Sequence, residues 1–495
     1  MSSAVRGKGG AKPPPLERKV LVVAATVVVG AIMTILDATI VGVAIDTLGK
    51  DFDSPLATIQ WVMTAYVLAL AAVIPITGWA GDRFGGKRLW MFSLVLFIAG
   101  SVLCGIAWSA GVLIFFRVLQ GIGGGMVAPA GMALVAQAAG PQRMGRAMSI
   151  VGVPMMLGPV VGPVLGGVLI STVSWHWIFY INLPIGAVAL FMSWKFMEQT
   201  PPRHNERLDW IGMLLLPPGL VALVYGLSQL SSADGLGGTV TQVALIAGVV
   251  LLVAFTVYAL RAKNPLLNLR HLKNKTFAAA TTMQLLLGAP LIGSMLLLPL
   301  YYQVVRGEEP LAAGLLLVPQ GIGAAAAMSL TGRLVDRGLG KGLMLLGIPV
   351  MAAGFIAYTQ TGTDTSYVLM SASLLVMGLG TGCLVSPIMS AAYQAVDRRD
   401  IARATSVLNV TQRIGGAVGT ALFAVVLQQN LQQAAGGTPQ DVAHAFGATF
   451  WWPLLITAAV FLPALLMPMG KPAQHGPPQK QSQERAPEPA STHNE

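Results

Sequence analysis

The sequence predicts an all-α polytopic membrane protein: two duplicated six-helix halves with two further helices inserted between them. Three observations carry this. Of 495 residues, 54% are hydrophobic and only 10% are charged, against roughly 25% charged in a soluble protein. The apolar residues come in runs of about 20, the length that spans a bilayer core at 1.5 Å per residue. A short polar motif, GWAGDRFGGKRLW at 78–90, returns as GRLVDRGLGKGLM at 332–344.

The candidate spans run, in order, 20–44, 57–80, 89–107, 111–135, 145–170, 175–196, 209–230, 240–262, 276–303, 311–332, 342–360, 366–388, 403–428 and 450–469. In lipid only a helix or a closed barrel satisfies its own backbone, and runs this long without strand-like alternation favour helices. Charge tests the count. With the N-terminus inside and the spans alternating, the 31 Lys and Arg fall on the cytoplasmic side except four: Lys50 and Arg306 fall outside, and Arg117 and Arg413 lie within spans. One missed or false span would invert every later loop and destroy that bias, so both ends are expected to be cytoplasmic. The first apolar run is too long for a cleavable signal and reads as a span. The expected division is a tail at 1–17, a six-helix half at 18–200, an inserted pair at 201–265, a second six-helix half at 266–470 and a tail at 471–495. Both tails are rich in Pro, Gly, Gln and Glu, a composition expected to stay disordered.

Other classes fit poorly. A net charge of +11 would suggest nucleic acid in a soluble protein, but here the basic residues sit in short loops, and no nucleic-acid partner is expected. Cys104 and Cys383 both lie inside apolar segments, so neither a disulfide framework nor a metal site is expected. GIGGG at 121–125 has Met126 where a dinucleotide fingerprint needs its third glycine, and neither Gly-Lys pair of the polar motifs is followed by Ser or Thr, as a phosphate loop requires. A membrane-embedded enzyme would cluster His, Cys or carboxylates at one depth; the six histidines are scattered.

The repeat is specific. Gly78, Asp82, Arg83 and Lys87 match Gly332, Asp336, Arg337 and Lys341 at a constant offset of 254. GRAMS (145–149) matches ARATS (402–406), and Gly124, Val127 and Pro129 match Gly382, Val385 and Pro387. Spans two to five thus correspond to spans ten to thirteen in the same orientation, a parallel repeat about an axis along the membrane normal. Spans seven and eight are left over as the inserted pair.

Further stretches occur in a telling order: LDATIVGVAIDTL (36–48), QWVMTAYVLA (60–69), GWAGDRFGGKR (78–88), RVLQGIGGG (117–125), GVPMMLGPVVGPVLGG (152–167) and WHWIFYINLPIG (175–186). Together they resemble the major facilitator superfamily, and more narrowly its fourteen-helix drug/proton antiporter branch. The chain departs from that pattern at Gly42, Asp46 and His176, where the family usually has Asn, Pro and Arg. The resemblance implies the major facilitator fold and location in the plasma membrane, by expectation a bacterial inner membrane.

Asp37 lies mid-span in an otherwise uncharged run. A carboxylate at the bilayer centre costs about 2.5–3.5 kcal/mol on insertion scales, so it faces a cavity or a partner. Burial and a neighbouring cation act oppositely on a carboxyl group's charge, which suits Asp37 to exchanging a proton; the alternative is a packing residue held by hydrogen bonds. Arg117 opens RVLQG, with Gln120 on the same helix face. An arginine keeps its proton, so it acts by biasing a carboxylate, or else as a fixed cation on backbone carbonyls. The resemblance implies proton coupling for Asp37 and Arg117, and we expect the two to be linked across the first half, with Gln120 beside them.

Span five carries Gly158, Gly162 and Gly166 at every fourth position, with Gly167 beside them. That spacing lets a neighbouring helix approach closely, and Pro159 and Pro163 bend the helix. The pattern resembles the antiporter signature of exporters and is expected to form a tight interface between the halves. In the polar motifs Gly78 and Gly332 allow close approach, Gly85 permits a tight turn, and Arg83, Lys87, Arg88, Arg337 and Lys341 hold the loops inside. By resemblance, Asp82 braces the start of span thirteen and Asp336 the start of span five when the cytoplasmic side is closed, which makes the motifs conformational latches. Candidate substrate contacts are Trp61, Tyr66, Asn182, Tyr301, Tyr302 and Gln303, with Asn409, Gln412 and Arg413 in span thirteen. Aromatics suit flat apolar or cationic molecules, but Trp and Tyr near span ends also form interfacial belts, and Arg413 either lines the pathway or snorkels to an interface.

The expected function is therefore a monomeric, proton-driven secondary transporter that exports amphipathic small molecules by antiport and alternating access, without metal or organic cofactor. Proton-coupled metabolite import and lipid or siderophore export stay open, and a membrane-embedded enzyme or scaffold is the alternative of a different class.

Overall fold

Lipid offers the apolar runs no backbone partner, so each closes its hydrogen bonds within itself. In the computed structural model, which describes residues 16–199, 201–202, 207–231, 237–397, 399–434 and 436–467, fourteen long helices follow one another and no strand occurs among the described residues. The expected tails lie outside these residues except at 16–17. In the first half are α1 (Arg18–Ile40), α2 (Leu56–Phe84), α3 (Gly86–Gly105), α4 (Ala110–Ala139), α5 (Met144–Thr172) and α6 (Asn182–Phe196). The inserted pair is α7 (Trp210–Ser228) and α8 (Thr239–Arg261). The second half holds α9 (Lys275–Val304), α10 (Val318–Asp336), α11 (Gly340–Thr359), α12 (Tyr367–Gln394), α13 (Ile401–Gln433) and α14 (Pro439–Ala459). Among the described residues, 13 helices are long and apolar enough to cross a membrane, and a further crossing is the pair Pro141–Gly158 and Val161–Thr172, bent by 44°. The bend falls where the sequence places Pro159 and Pro163; the Pro159 side chain lies outside the described residues.

Polar side chains stop the ends from fraying. Asn274 accepts from the Thr276 backbone N–H at 2.9 Å at the start of α9, and Thr438 and Asp441 form a reciprocal capping box at the start of α14, satisfying donors that the helix itself leaves orphaned. One expectation is corrected here. The polar motif at 78–90 is not a loop: α2 continues through Phe84, Gly85 alone makes the turn with φ 91°, and α3 begins at Gly86. Positive φ is strained for any residue with a Cβ, which explains the glycine.

The duplication shows in the packing. In the first half α1 packs on α4, α5 and α6, α2 on α4, and α3 on α4 and α6. In the second half the same relations recur eight helices on: α9 on α12, α13 and α14, α10 on α12, and α11 on α12 and α14. The halves meet along two seams related by the same symmetry, α5 against α10 and α2 against α13. Outside this twelve-helix body, α7 lies against both α2 and α13, and α8 rests on α7. The outer side of α8 presents Val243, Ile246, Val250, Val253 and Val257, all exposed, a face that only lipid suits.

Candidate functional site

Asp37 is fully buried on α1, and it is not alone. Its Oδ2 accepts a hydrogen bond from Arg117 Nη1 at 2.6 Å. Its Oδ1 accepts from Gln120 Nε2 at 2.7 Å and from Asn182 Nδ2 at 3.0 Å. Three helices thus converge on one carboxylate: α4 brings Arg117 and Gln120 one turn apart, and α6 brings Asn182. The same guanidinium donates to Gln120 Oε1 at 2.6 Å and, through Nε, to the Val62 carbonyl at 3.1 Å, and it lies 4.0 Å over the ring of Tyr66. Ser101 Oγ accepts from Gln120 at 2.7 Å and from Asn182 at 3.2 Å; Cys104 Sγ donates to Gln120 Oε1 at 3.6 Å. This is a buried, charge-balanced cluster inside one half. It can take up one proton: a proton on Asp37 removes the charge that holds Arg117 and frees the guanidinium to change partners.

A second set of contacts sits at the end of the bundle that carries the polar motifs. Asp336, at the last turn of α10, has a fully buried side chain. Its Oδ2 accepts from Arg146 Nε at 2.6 Å and its Oδ1 from the Gly145 backbone N–H at 2.9 Å; both belong to the first turn of α5. Across the other seam, Asp82 at the end of α2 accepts from Arg403 Nε of α13 at 3.1 Å. The glycines make room for this. A Cβ at Gly145 would stand 2.7 Å from the Gly332 carbonyl oxygen, and one at Gly78 3.0 Å from the Arg403 Cα. The halves are closed on one another at this end. The lysines do something else. Lys87 Nζ donates to the carbonyls of Trp194 at 3.0 Å and Met197 at 2.6 Å, at the end of α6, and Lys341 Nζ to the Leu465 carbonyl at 2.8 Å. Lys87 staples α3 to the C-terminal end of α6, and Lys341 ties α11 to the end of the short helix Phe461–Leu465 that follows α14; at each a cation meets helix-end carbonyls and the negative end of the helix dipole. Both lysine bonds lie within one half, whereas the aspartates bond across the seams. Arg88 and Arg337 are exposed.

A twelve-helix body of two matching halves, closed by matched clasps, is a transporter architecture. The chain matches the family model described as Major Facilitator Superfamily over residues 27–420. The chain belongs to the major facilitator superfamily. Among its relatives is a protein of Mycobacterium tuberculosis strain H37Rv named multidrug resistance protein B homolog, 40% identical over 84% of this chain and 77% of that one. Another is multidrug resistance protein 3 of Bacillus subtilis, 30% identical over 80% of this chain and 77% of its own. Among solved structures, the proton:xylose symporter XylE bound to 6-bromo-6-deoxy-D-glucose superimposes with a TM-score of 0.61 over 89% of this chain and 95% of that one, at 12% identity, a likeness of fold alone. This superfamily member is a multi-pass membrane protein that transports small molecules, not an enzyme.

Within the superfamily fold the glycine stripe of α5 has a different neighbour from the one expected. Cβ atoms at Gly158, Gly162 and Gly166 would run into Ile35, Thr39 and Ile40 of α1, the one at Gly162 standing 2.7 Å from the Thr39 Cβ. The stripe is therefore an interface within the first half. Residues meeting α10 and α12 in the second half, Gly145 and Ser149 among them, lie on another face of α5; Ser149 Oγ is 3.1 Å from Ser386 Oγ. A spacing of four specifies a face, not what packs on it. The consequence is that α5 positions α1, and with it Asp37. Gly162→Val is expected to overpack this contact by about 1–3 kcal/mol, lowering the midpoint of thermal unfolding and transport together. Gly167→Ala, with nothing within 4 Å of its added carbon, is expected to stay within about 0.5 kcal/mol of the parent. Thermal unfolding in detergent measures both, and equal effects at the two glycines would refute the close contact.

The substrate-contact candidates separate into four groups. Asn182 belongs to the Asp37 cluster, and Tyr66 packs under Arg117, its hydroxyl buried without a hydrogen-bond partner among the described residues. Tyr301 and Tyr302 are buried in the second half: the Tyr301 hydroxyl donates to the Gly362 carbonyl at 3.0 Å, and the Tyr302 hydroxyl lies 3.0 Å from that of Tyr358. Gln303, at the end of α9, is half-buried. Trp61 turns outward from the body and stacks on Tyr225 of α7, ring centroids 5.6 Å apart. Tyr301 and Tyr302 thus bond within the second half, and Trp61 ties the first half to the inserted pair. Of the α13 candidates, Asn409 Nδ2 donates to the Thr405 carbonyl of its own helix at 2.9 Å, Gln412 is half-buried beside Gly288 of α9, and Arg413 is exposed. Ser101 and Cys104, which complete the Asp37 cluster, were missed; the only signal was their spacing of one helical turn on an otherwise apolar span.

Proposed function

We propose that the chain exports amphipathic small molecules in exchange for protons, working as a monomer in a bacterial inner membrane with both termini in the cytoplasm and no cofactor beyond the proton gradient. The observation that carries this reading is the buried Asp37 carboxylate held by Arg117, Gln120 and Asn182, the one acid at mid-depth among the described spans. The names of the Mycobacterium and Bacillus relatives, both multidrug resistance proteins, support drug-like cargo. The basic residues gathered at the polar-motif end support a cytoplasmic location for that end. Protonation of Asp37 from outside and release inside would drive the halves between two closures about a shared midplane site.

Inverted vesicles test it. With respiration acidifying the lumen, adding a cargo molecule is expected to draw protons out and recover the fluorescence of a pH-quenched dye. The same molecule should become more toxic to cells lacking the transporter, and an uncoupler should erase that difference. Proton entry on cargo addition would instead mean symport, and no cargo-linked proton movement across a broad panel of drugs and metabolites would overturn coupling.

A further inference from the structure

The described spans hold three charged side chains at mid-depth. Asp37 and Arg117 neutralise one another. Arg413 has neither ion pair nor hydrogen bond among the described residues. Its position follows from its helix. Ser406 lies two turns earlier on the same face of α13, and a Cβ at Gly78 of α2 would stand 3.0 Å from its hydroxyl. The outward side of α13 is marked by Val418, 44% exposed, which lies about 140° round the helix from Arg413. Arg413 is thus on the face turned to the other half, yet its side chain is exposed. On the face of α2 that carries Gly78, Gln60 is exposed and Val67 is 39% exposed. The two helices touch at the polar-motif end and part beyond it. Behind the parting runs α7, packed on both α2 and α13 with Tyr225 stacked on Trp61, so the inserted pair closes the lipid side and the gap opens inward. Arg413 is within electrostatic reach of Tyr66, the ring beneath Arg117.

We propose that Arg413 binds the ionised acid group of an amphipathic cargo (a carboxylate, sulfonate or acidic phenolate) in the gap between α2, α7 and α13. The proposal rests on the export reading for the identity of its ligand as cargo. An arginine keeps its charge at any working pH, and its planar fork of donors matches the oxygens of such groups. An unpaired charge at this depth is costly, and Asp37, the carboxylate at mid-depth, is taken by Arg117. The described spans of the second half offer no acid at mid-depth, so an acid arriving with the cargo is the counter-charge that completes the site. A lipophilic cation would meet like charge with nothing to offset it.

The test uses the full-length protein in nanodiscs and two fluorophores of the same ring system, anionic 8-anilinonaphthalene-1-sulfonate and uncharged N-phenyl-1-naphthylamine, with empty nanodiscs subtracted. The ratio of sulfonate to neutral affinity is expected to fall about tenfold or more in Arg413→Gln and to fall less in Arg413→Lys, which keeps the charge but not the planar fork. A fall of equal size for both probes, or an unchanged ratio, overturns the proposal. Uptake of the same dyes from the medium into energised inverted vesicles separates the two readings. If the parent exports neither dye while the ratio falls, export fails and the anion site stands. If export proceeds and Arg413→Gln leaves the ratio unchanged, the anion site fails and export stands.

Discussion

Asp37→Asn is expected to abolish proton-driven accumulation of cargo while cargo still exchanges passively across the membrane. The amide keeps the shape of the carboxylate, so its oxygen can still accept from Gln120 and Asn182, which donate to Oδ1 at 2.7 and 3.0 Å. It cannot take up a proton, and it leaves Arg117, 1% exposed, without its counter-charge. Breaking a buried pair from one side costs about 3–5 kcal/mol, so a lower yield and a lower unfolding midpoint accompany the change, and transport must be read on the monodisperse fraction. Each net charge moved across 100 mV is worth about 2.3 kcal/mol, or about 50-fold in the concentration ratio that can be held. Loss of coupling should remove that factor in energised proteoliposomes, while counterflow of labelled against unlabelled cargo, which needs no gradient, persists. Gradient-driven accumulation at the parent level would take Asp37 out of the coupling step.

How much of this cluster the sequence disclosed depends on what each residue costs. Asp37 and Arg117 announce themselves because a charge in lipid is expensive, and two opposite charges in one six-helix half have good reason to meet. Ser101 and Cys104 are inexpensive to bury, so nothing in their sequence context says which face they occupy. Asn182 stood out as a polar residue but not as a partner of Asp37, because pairing is set by how α6 is rotated against α1, a matter of packing. The fold was legible for a related reason: lipid forces the apolar runs into helices, the basic loops fix their number, and the repeated motif fixes the symmetry. The lysines mark the limit. Lys87 and Lys341 repeat at the same offset as Asp82 and Asp336, so repetition alone assigns all four one role, yet the lysines bond to backbone carbonyls at a helix end, acceptors that every residue offers. Tyr301 and Tyr302 show the same ambiguity, since a buried tyrosine, a belt tyrosine and a pathway tyrosine look alike in sequence.

Asp336→Asn is expected to shift the balance of conformations toward the one open at the polar-motif end by about 10- to 150-fold, as follows from losing a charge-assisted interaction of about 1.5–3 kcal/mol. The side chain is fully buried and bonds both Arg146 and the Gly145 backbone N–H; an amide retains one acceptor but loses the charge, and the interaction exists only while α5 and α10 are together. Asp82→Asn acts at the other seam through the 3.1 Å contact with Arg403, longer than the Arg146 contact, and its shift should be smaller. The seams lie on opposite sides of the body and share no side chain, so the two effects should multiply in the double variant. Spin labels at exposed Gln142 and Arg337, with Cys104 and Cys383 replaced by Ser, report the separation of α5 from α10 as a distance distribution. The long-distance population should grow in each single variant and dominate in the double. Cargo affinity within each state should not move, because neither aspartate touches the gap beside Arg413; only the apparent affinity changes, in proportion to the fraction of molecules in the binding-competent state. An unchanged distance distribution in the double variant would reduce both clasps to fixtures of the fold, whereas a shift with unequal single effects ties the two halves of an ancient duplication to one switching equilibrium.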